Sequence, residues 1–254
     1  MSAIFVRSSP AYVHLFDCYI FVNPAPVDAG SSLKYIDSGD NIMKKCIIAG
    51  AGDFGVVPLE RGKNDILIAA DAGLEHLKRY GEKPDVIIGD FDSLGYVPDG
   101  NIIKAEKRKD DTDMMLCIRY GLNAGYRSFF IYGATGGRTS HTLANIQSLV
   151  FLREHGARGI ICSKDENFTV ISGGDRISFK SGASGELSLF ALGDECSGVT
   201  EKGLSYELSD AVVKNSFPLC VSNSFTGDAA CISIGKGTAL VVFGCGLDFI
   251  DFTL

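Results

Sequence analysis

Three short apolar runs in this chain close on carboxylates, and each is followed by a stretch with helical spacing. ILIAAD ends at Asp71, DVIIGDFDS carries Asp90 and Asp92, and KRKDDTD brings Asp110, Asp111 and Asp113 just after NIIKA. Strands that alternate with helices build a parallel sheet, and ligands bind at the carboxyl ends of its strands. Several carboxylates converging on one such edge repel each other unless a cation holds them. Hard oxygen donors of this kind suit Mg²⁺, usually together with a nucleotide phosphate. Turns and helix N-caps also favour Asp. That explains any single one of these residues more easily than GDFDS and DDTD together.

Periodicity extends the pattern. Strands are expected at 44–49, 65–70, 85–88, 101–105, 128–132 and 159–162, with helices at 72–80, 112–123 and 140–155. Asp111 or Thr112 is placed to cap the second helix. This is a Rossmann-like, doubly wound parallel α/β arrangement over residues 43–165. From about 166 helical spacing stops. FTVIS, RISF, ELSLFAL, GVTEKGL, AVV, CVSNSF, ACISIG and TALVVFG follow one another between Gly, Ser, Asp and Asn turns. An all-β unit, a sandwich or barrel, is expected over 166–254. Residues 1–42 show no clear periodicity. They contain Pro10, Pro24 and Pro26 and a Gly/Ser/Asp-rich stretch, and Met43 stands directly before the first strand. They are read as an extension outside the fold, or as a mis-assigned start.

The net charge of −7 argues against a nucleic-acid binder, which usually carries a basic stripe. It is compatible with a small cationic substrate, though most of it serves solubility. The eight cysteines form no C-x-x-C pair, so a zinc site of the usual spacing is not expected. Cys46, Cys162 and Cys231 lie in apolar runs as free thiols would, which points to a reducing, cytoplasmic setting. No run approaches the roughly 18 apolar residues of a membrane helix, and Tyr12–Val22 lacks the features of a signal peptide.

Four motifs carry chemistry. GAGDFG, from Gly50 to Gly55, matches G-x-G-x-x-G, and Asp71 falls near the place of a ribose-binding acid. A dinucleotide site leaves GDFDS and DDTD unexplained, and Val56-Val57-Pro58 starts a helix poorly. The loop is read instead as one that lets a ligand or metal approach the backbone. In GDFDS, Asp90 and Asp92 stand at i and i+2, on one side of an extended segment, so both could serve one metal directly or through water. In KRKDDTD, Lys109 can reach a phosphate while Asp110 or Asp113 orients it or holds Mg²⁺. In GATGGRTSH, Gly136 and Gly137 expose backbone N–H groups before a helix N-terminus, which favours anions, and Arg138 offers a guanidinium to a phosphate. No Walker A sequence occurs, which disfavours a P-loop kinase.

ADAGLEHL, PDVIIGDFDSL, KDDTD, GATGGRTSH, GVTEKGLSYEL and SNSF, in this order, resemble the thiamine pyrophosphokinase family over roughly residues 43–254. The resemblance implies an α/β catalytic domain followed by a β-sandwich that helps bind thiamine, in a homodimer with sites between subunits. It implies ATP and thiamine as substrates and Mg²⁺ as the metal. Asp71, Asp90 and Asp92 would hold Mg²⁺ and orient the hydroxyl. Lys109, Asp110, Thr112 and Asp113 would hold the triphosphate and its metal. Arg138 would neutralise developing charge, with Gly136, Gly137, Ser140 and His141 on the ATP side. Tyr206, Ser222 and Asn223 would contact thiamine. Two departures stand out. Ala72 replaces the first glycine of the usual A-D-G-G. Ser140 replaces the acid of G-G-R-x-D-H, keeping an N-capping hydroxyl but no charge. The alternatives are a pterin-type diphosphokinase on the same scaffold and a catalytically weak thiamine-binding regulator.

Overall fold

The computed structural model describes residues 44–55, 61–106 and 111–251. The expectations for residues 1–42 and Met43 lie outside the described residues. In the first half the strands are β1 (Lys45–Ala49), β2 (Ile66–Ala70), β3 (Val86–Gly89), β4 (Ile102–Lys104), β5 (Ser128–Tyr132) and β6 (Arg158–Cys162). The helices are α1 (Gly73–Arg79), α2 (Asp113–Asn123) and α3 (Thr139–Glu154). The six strands pair in parallel in the order β6-β5-β1-β2-β3-β4.

The apolar runs are nearly continuous because both faces of these strands are covered. Alternate residues serve opposite faces. Ile47, Ala49, Leu67 and Ala69 pack with Leu74 and Leu77 of α1. Cys46, Ile48, Ile68 and Ala70 pack with Met114, Cys117 and Ile118 of α2 and with Leu149 and Leu152 of α3. After β1 the chain builds outward on one side through β2, β3 and β4, then returns to place β5 on the other side of β1. In sheets of this kind ligands bind beyond the carboxyl ends of the strands, near the point where the strand order reverses.

The second half is β-rich. It contains β7 (Asn167–Ser172), β8 (Arg176–Phe179), β9 (Glu186–Ala191), β10 (Glu195–Lys202), β11 (Leu208–Lys214), β12 (Cys220–Ser224), β13 (Ala230–Ser233), β14 (Thr238–Phe243) and β15 (Ile250–Asp251). β7 pairs antiparallel with β6, so the first sheet runs straight across the expected boundary at 165/166. The result is one mixed ten-stranded sheet, β12-β9-β14-β7-β6-β5-β1-β2-β3-β4. A second sheet, β11-β10-β13-β8-β15, shares a core with its antiparallel end: Ile177, Phe179, Val199 and Ile232 join Leu187, Leu189, Val241 and Phe243.

One ion-pair cluster ties the two halves. Arg153, in the last turn of α3, donates from Nε and a terminal nitrogen to the two carboxylate oxygens of Asp175, each at 2.7 Å. Asp175 lies in the β7–β8 turn and also accepts from the Ser172 amide at 2.8 Å, with Arg158 at 3.6 Å. Burial raises the Asp175 pKa, but the Arg153 hydrogen bonds and the Ser172 amide outweigh it and hold it below its ordinary value. Among the described residues, no helix is long and apolar enough to cross a membrane.

Candidate active site

Three carboxylates gather beyond the carboxyl ends of β2 and β3, at the start of α2. One oxygen each from Asp71, Asp90 and Asp113 lies within 4.8 Å of the others. Asp71 follows β2 directly, with a left-handed backbone (φ 46°) that Asp tolerates better than most residues. Its amide donates to Ile88 of β3 at 2.9 Å, and its carbonyl accepts from Leu74 as α1 begins. The side chain is 7% exposed, and Oδ1 is buried without a hydrogen-bond partner among the described residues. A buried carboxylate oxygen in that state is unfavourable by several kcal/mol unless a cation joins it.

Asp90 is half-buried just past β3. The segment after it is not extended, because Phe91 turns left-handed (φ 64°) and buries its ring in the core. The i, i+2 alternation therefore lapses at this point. Asp92 is exposed and donates its amide to Asp90 Oδ1 at 3.1 Å, and the third carboxylate of the cluster is Asp113. The following loop is tied to α1, where the Tyr96 hydroxyl donates to Glu75 at 2.6 Å.

Asp113 is the first residue of α2. Thr112 caps that helix, its hydroxyl accepting from the Met115 amide at 3.2 Å, so the carboxylate sits at a positive helix end. Asp111 is taken up by Arg119 at 2.8 Å. Lys109 and Asp110 lie outside the described residues.

The two glycine loops meet backbone to backbone. Gly50, Gly52 and Asp53 donate to the carbonyls of Tyr132, Gly133 and Thr135 at 2.7–2.8 Å. A β-carbon on Gly52 would stand 2.2 Å from the Thr135 carbonyl oxygen. The close approach that GAGDFG permits is thus of the chain's own 133–135 segment. The Asn145 side chain of α3 steadies the same segment by donating to the Ala134 carbonyl at 2.7 Å. Gly136 and Gly137 both adopt positive φ, and Arg138, Ser140 and His141 are exposed at the start of α3. Arg138 occupies the N-cap position, so Ser140 is the second helical residue and does not cap, contrary to the expectation above.

In the second half Tyr206 is 77% exposed on the loop between β10 and β11. Ser222 lies in β12 with φ 56°, and its amide donates to the Ser188 hydroxyl oxygen at 3.0 Å. Asn223 is buried and its amide is fully engaged. Oδ1 accepts from the amides of Tyr206 (3.0 Å) and Ser224 (2.9 Å), while Nδ2 donates to the Tyr206 carbonyl (2.7 Å) and to Glu201 Oε2 (3.0 Å). Sequence reading missed Glu201, because its neighbours are set by strand pairing rather than by spacing.

Two family descriptions match the chain. Residues 60–161 match the thiamin pyrophosphokinase catalytic domain, and residues 176–238 match the thiamin pyrophosphokinase vitamin B1 binding domain. The thiamine pyrophosphokinase of Bacillus subtilis is 26% identical over 210 residues, covering 79% of this chain and 98% of that protein. A crystal structure of the Bacillus subtilis thiamine pyrophosphokinase superposes with a TM-score of 0.70 at 24% identity, covering 80% of this chain and all of that one. Thiamin pyrophosphokinase from Candida albicans has the same fold, with a TM-score of 0.66 at 17% identity over 79% of this chain and 89% of that one. With its carboxylate cluster in the first matched region and the Tyr206–Asn223 arrangement in the second, the chain belongs to the thiamin pyrophosphokinase family.

Proposed function

We propose that this protein transfers a diphosphate group from ATP to the hydroxyl of thiamine, giving thiamine diphosphate and AMP. The observation that carries the reading is the convergence of Asp71, Asp90 and Asp113 on one point, with Asp71 Oδ1 buried and unpartnered among the described residues. Three hard oxygen donors at a strand edge fit Mg²⁺. Bound there, the ion would neutralise phosphate charge and polarise the phosphorus under attack. Asp71, Asp90 and Asp113 are the residues we assign to it. Asp92 would act from the rim through water, since its amide is tied to Asp90.

Transfers of this kind rest on positioning and charge compensation more than on covalent chemistry by the protein. The thiamine hydroxyl attacks the β-phosphorus, AMP departs with the bridging oxygen, and the hydroxyl proton is lost. A site carboxylate aligned with the hydroxyl would orient it. On the phosphate side, the amides of Gly136 and Gly137, the α3 N-terminus, Arg138, Ser140 and His141 would offer donors and positive charge to the triphosphate. Thr112 and the sequence-assigned Lys109 and Asp110 complete the proposed triphosphate set. Thiamine carries a cationic thiazolium ring, which suits carboxylates and the exposed ring of Tyr206.

The finer architecture is part of the proposal. The six parallel strands support a Rossmann-like catalytic half over 43–165. The two facing sheets around Phe179 and Phe243 support a β-sandwich half over 166–254. Homodimerisation is supported by β12, the terminal strand of the large sheet, and by exposed Phe190, Leu192, Leu219 and Val221 on or beside it. A cytoplasmic setting is supported by the buried thiols of Cys46, Cys117 and Cys162. A pterin-type diphosphokinase and a catalytically weak regulator are both disfavoured. AMP release from Mg-ATP, measured with and without thiamine, tests the function. Thiamine-dependent release supports it, and release indifferent to thiamine contradicts it.

A further inference from the structure

Glu201 is the one acid of β10 that faces inward. It is 1% exposed, and its Oε1 has no hydrogen-bond partner among the described residues. The Cys220 thiol of β12 faces the same carboxylate, and burial raises the Glu201 pKa against the lowering effect of the Asn223 and Cys220 side chains. A buried acid so poorly paired lowers stability relative to an apolar residue of similar size. Its one well-formed bond, Oε2 to Asn223 Nδ2 at 3.0 Å, leads directly to Tyr206.

A side-chain amide has two donor protons and a carbonyl with two lone pairs. In Asn223 all four are used, and Glu201 joins the Tyr206 and Ser224 backbone groups in setting their sense. With Nδ2 directed at the carboxylate, the remaining proton meets the Tyr206 carbonyl, and Oδ1 meets the Tyr206 and Ser224 amides. Reversing the amide would set oxygen against carboxylate and NH₂ against two N–H groups. Tyr206 is thereby clasped at both its N–H and its C=O, while its ring stands in solvent. Holding the backbone of an exposed aromatic residue this firmly serves a ring that must meet something at a fixed place.

We propose that Glu201 is a positioning residue for thiamine: by anchoring the fourth bond of the Asn223 amide, it helps to hold the Tyr206 ring where the substrate's heteroaromatic ring docks. The proposal rests on the reading of Tyr206 as a thiamine contact. Glu201 itself touches no substrate. Glutamine at 201 keeps an acceptor for Asn223 Nδ2, whereas leucine keeps the volume and removes it.

The test compares Glu201→Gln and Glu201→Leu by steady-state kinetics and by hydrogen exchange of the Tyr206 amide. Glu201→Leu is expected to raise KM for thiamine about tenfold, to leave KM for ATP and kcat within about threefold, and to lose protection at Tyr206 selectively. Glu201→Gln is expected to stay within about threefold of the parent in all of these. Unchanged Tyr206 protection in Glu201→Leu overturns the proposal, as does lost protection with an unchanged KM for thiamine. Tyr206→Ala, run in parallel, separates the two levels. If it too leaves KM for thiamine unchanged, the reading of Tyr206 has failed; if it raises it, the fault lies with Glu201. Should the leucine variant not fold, Glu201→Met, which also removes the carboxylate, is judged by the same two readouts.

Discussion

A β-carbon on Gly89 would stand 3.0 Å from both Cα and Cβ of Asp71. The end of β3 therefore passes so close to the turn after β2 that only glycine fits without displacement. This contact fixes the height of the buried Asp71 carboxylate over the sheet edge. Gly89→Ala is expected to shift that carboxylate by a few tenths of an ångström and to reduce kcat/KM about tenfold. The Mg²⁺ concentration needed for half-maximal rate should rise with it. A folded variant with unaltered Mg²⁺ dependence would show that the packing does not set the site.

Asp113, rather than Asp92, completes the gathered trio. Asp71→Asn, Asp90→Asn and Asp113→Asn should each lower kcat/KM by about a hundredfold or more, since a lost metal ligand removes several kcal/mol of transition-state stabilisation. Asp92→Asn should have a smaller effect. Mg²⁺ titrations of the four variants decide the ranking. An Asp92→Asn defect larger than that of Asp113→Asn would restore the extended geometry expected from sequence.

Ser140 lies exposed in the first turn of α3, beside Arg138 and the Gly136-Gly137 turn. An acid there adds negative charge next to the proposed phosphate and metal sites. Ser140→Asp is expected to remain active and to lower the requirement for Mg²⁺ or for thiamine. Apparent constants for each, measured at saturating levels of the other substrates, check this. An inactive, folded variant would mark the serine as a specific adaptation.

Asp175 accepts three hydrogen bonds and joins α3 to the β7–β8 turn. Asp175→Asn should destabilise the fold by about 2 kcal/mol, read by denaturant unfolding. The sign with pH follows from its lowered pKa. The stabilisation is complete above the unfolded carboxyl value near 4 and fades as pH falls through the lower folded value. The parent should therefore lose stability on acidification below about pH 4 more steeply than the asparagine variant. Parallel acid profiles would contradict the pairing.

Much of the fold was legible because burial on both faces writes itself into the chain as unbroken apolar runs. KCIIA, ILIAA and VIIG became β1, β2 and β3 within a residue or so of the expected limits. The carboxylates after them were legible for the same reason, since a polar residue ending such a run marks the sheet edge. Less visible were features set by tertiary contact. Phe91 is left-handed with its ring in the core, so Asp90 and Asp92 do not stand at i and i+2 of an extended segment. Gly50 and Gly52 of GAGDFG answer to Gly133 and Thr135, and Gly55 to Lys164, all more than 80 residues away in sequence. The continuity of the large sheet depends on β6 meeting β7, which local spacing does not reveal. Glu201 and Asn223 meet only because β10 and β12 fold against one another.

Diphosphoryl transfer to thiamine is tested most directly by phosphorus NMR of a reaction containing the protein, ATP, Mg²⁺ and thiamine. Attack at the β-phosphorus predicts AMP and thiamine diphosphate appearing in equal amounts, with neither formed by Asp71→Asn. Formation of ADP with thiamine monophosphate, or of products without any phosphorylated thiamine, would contradict it.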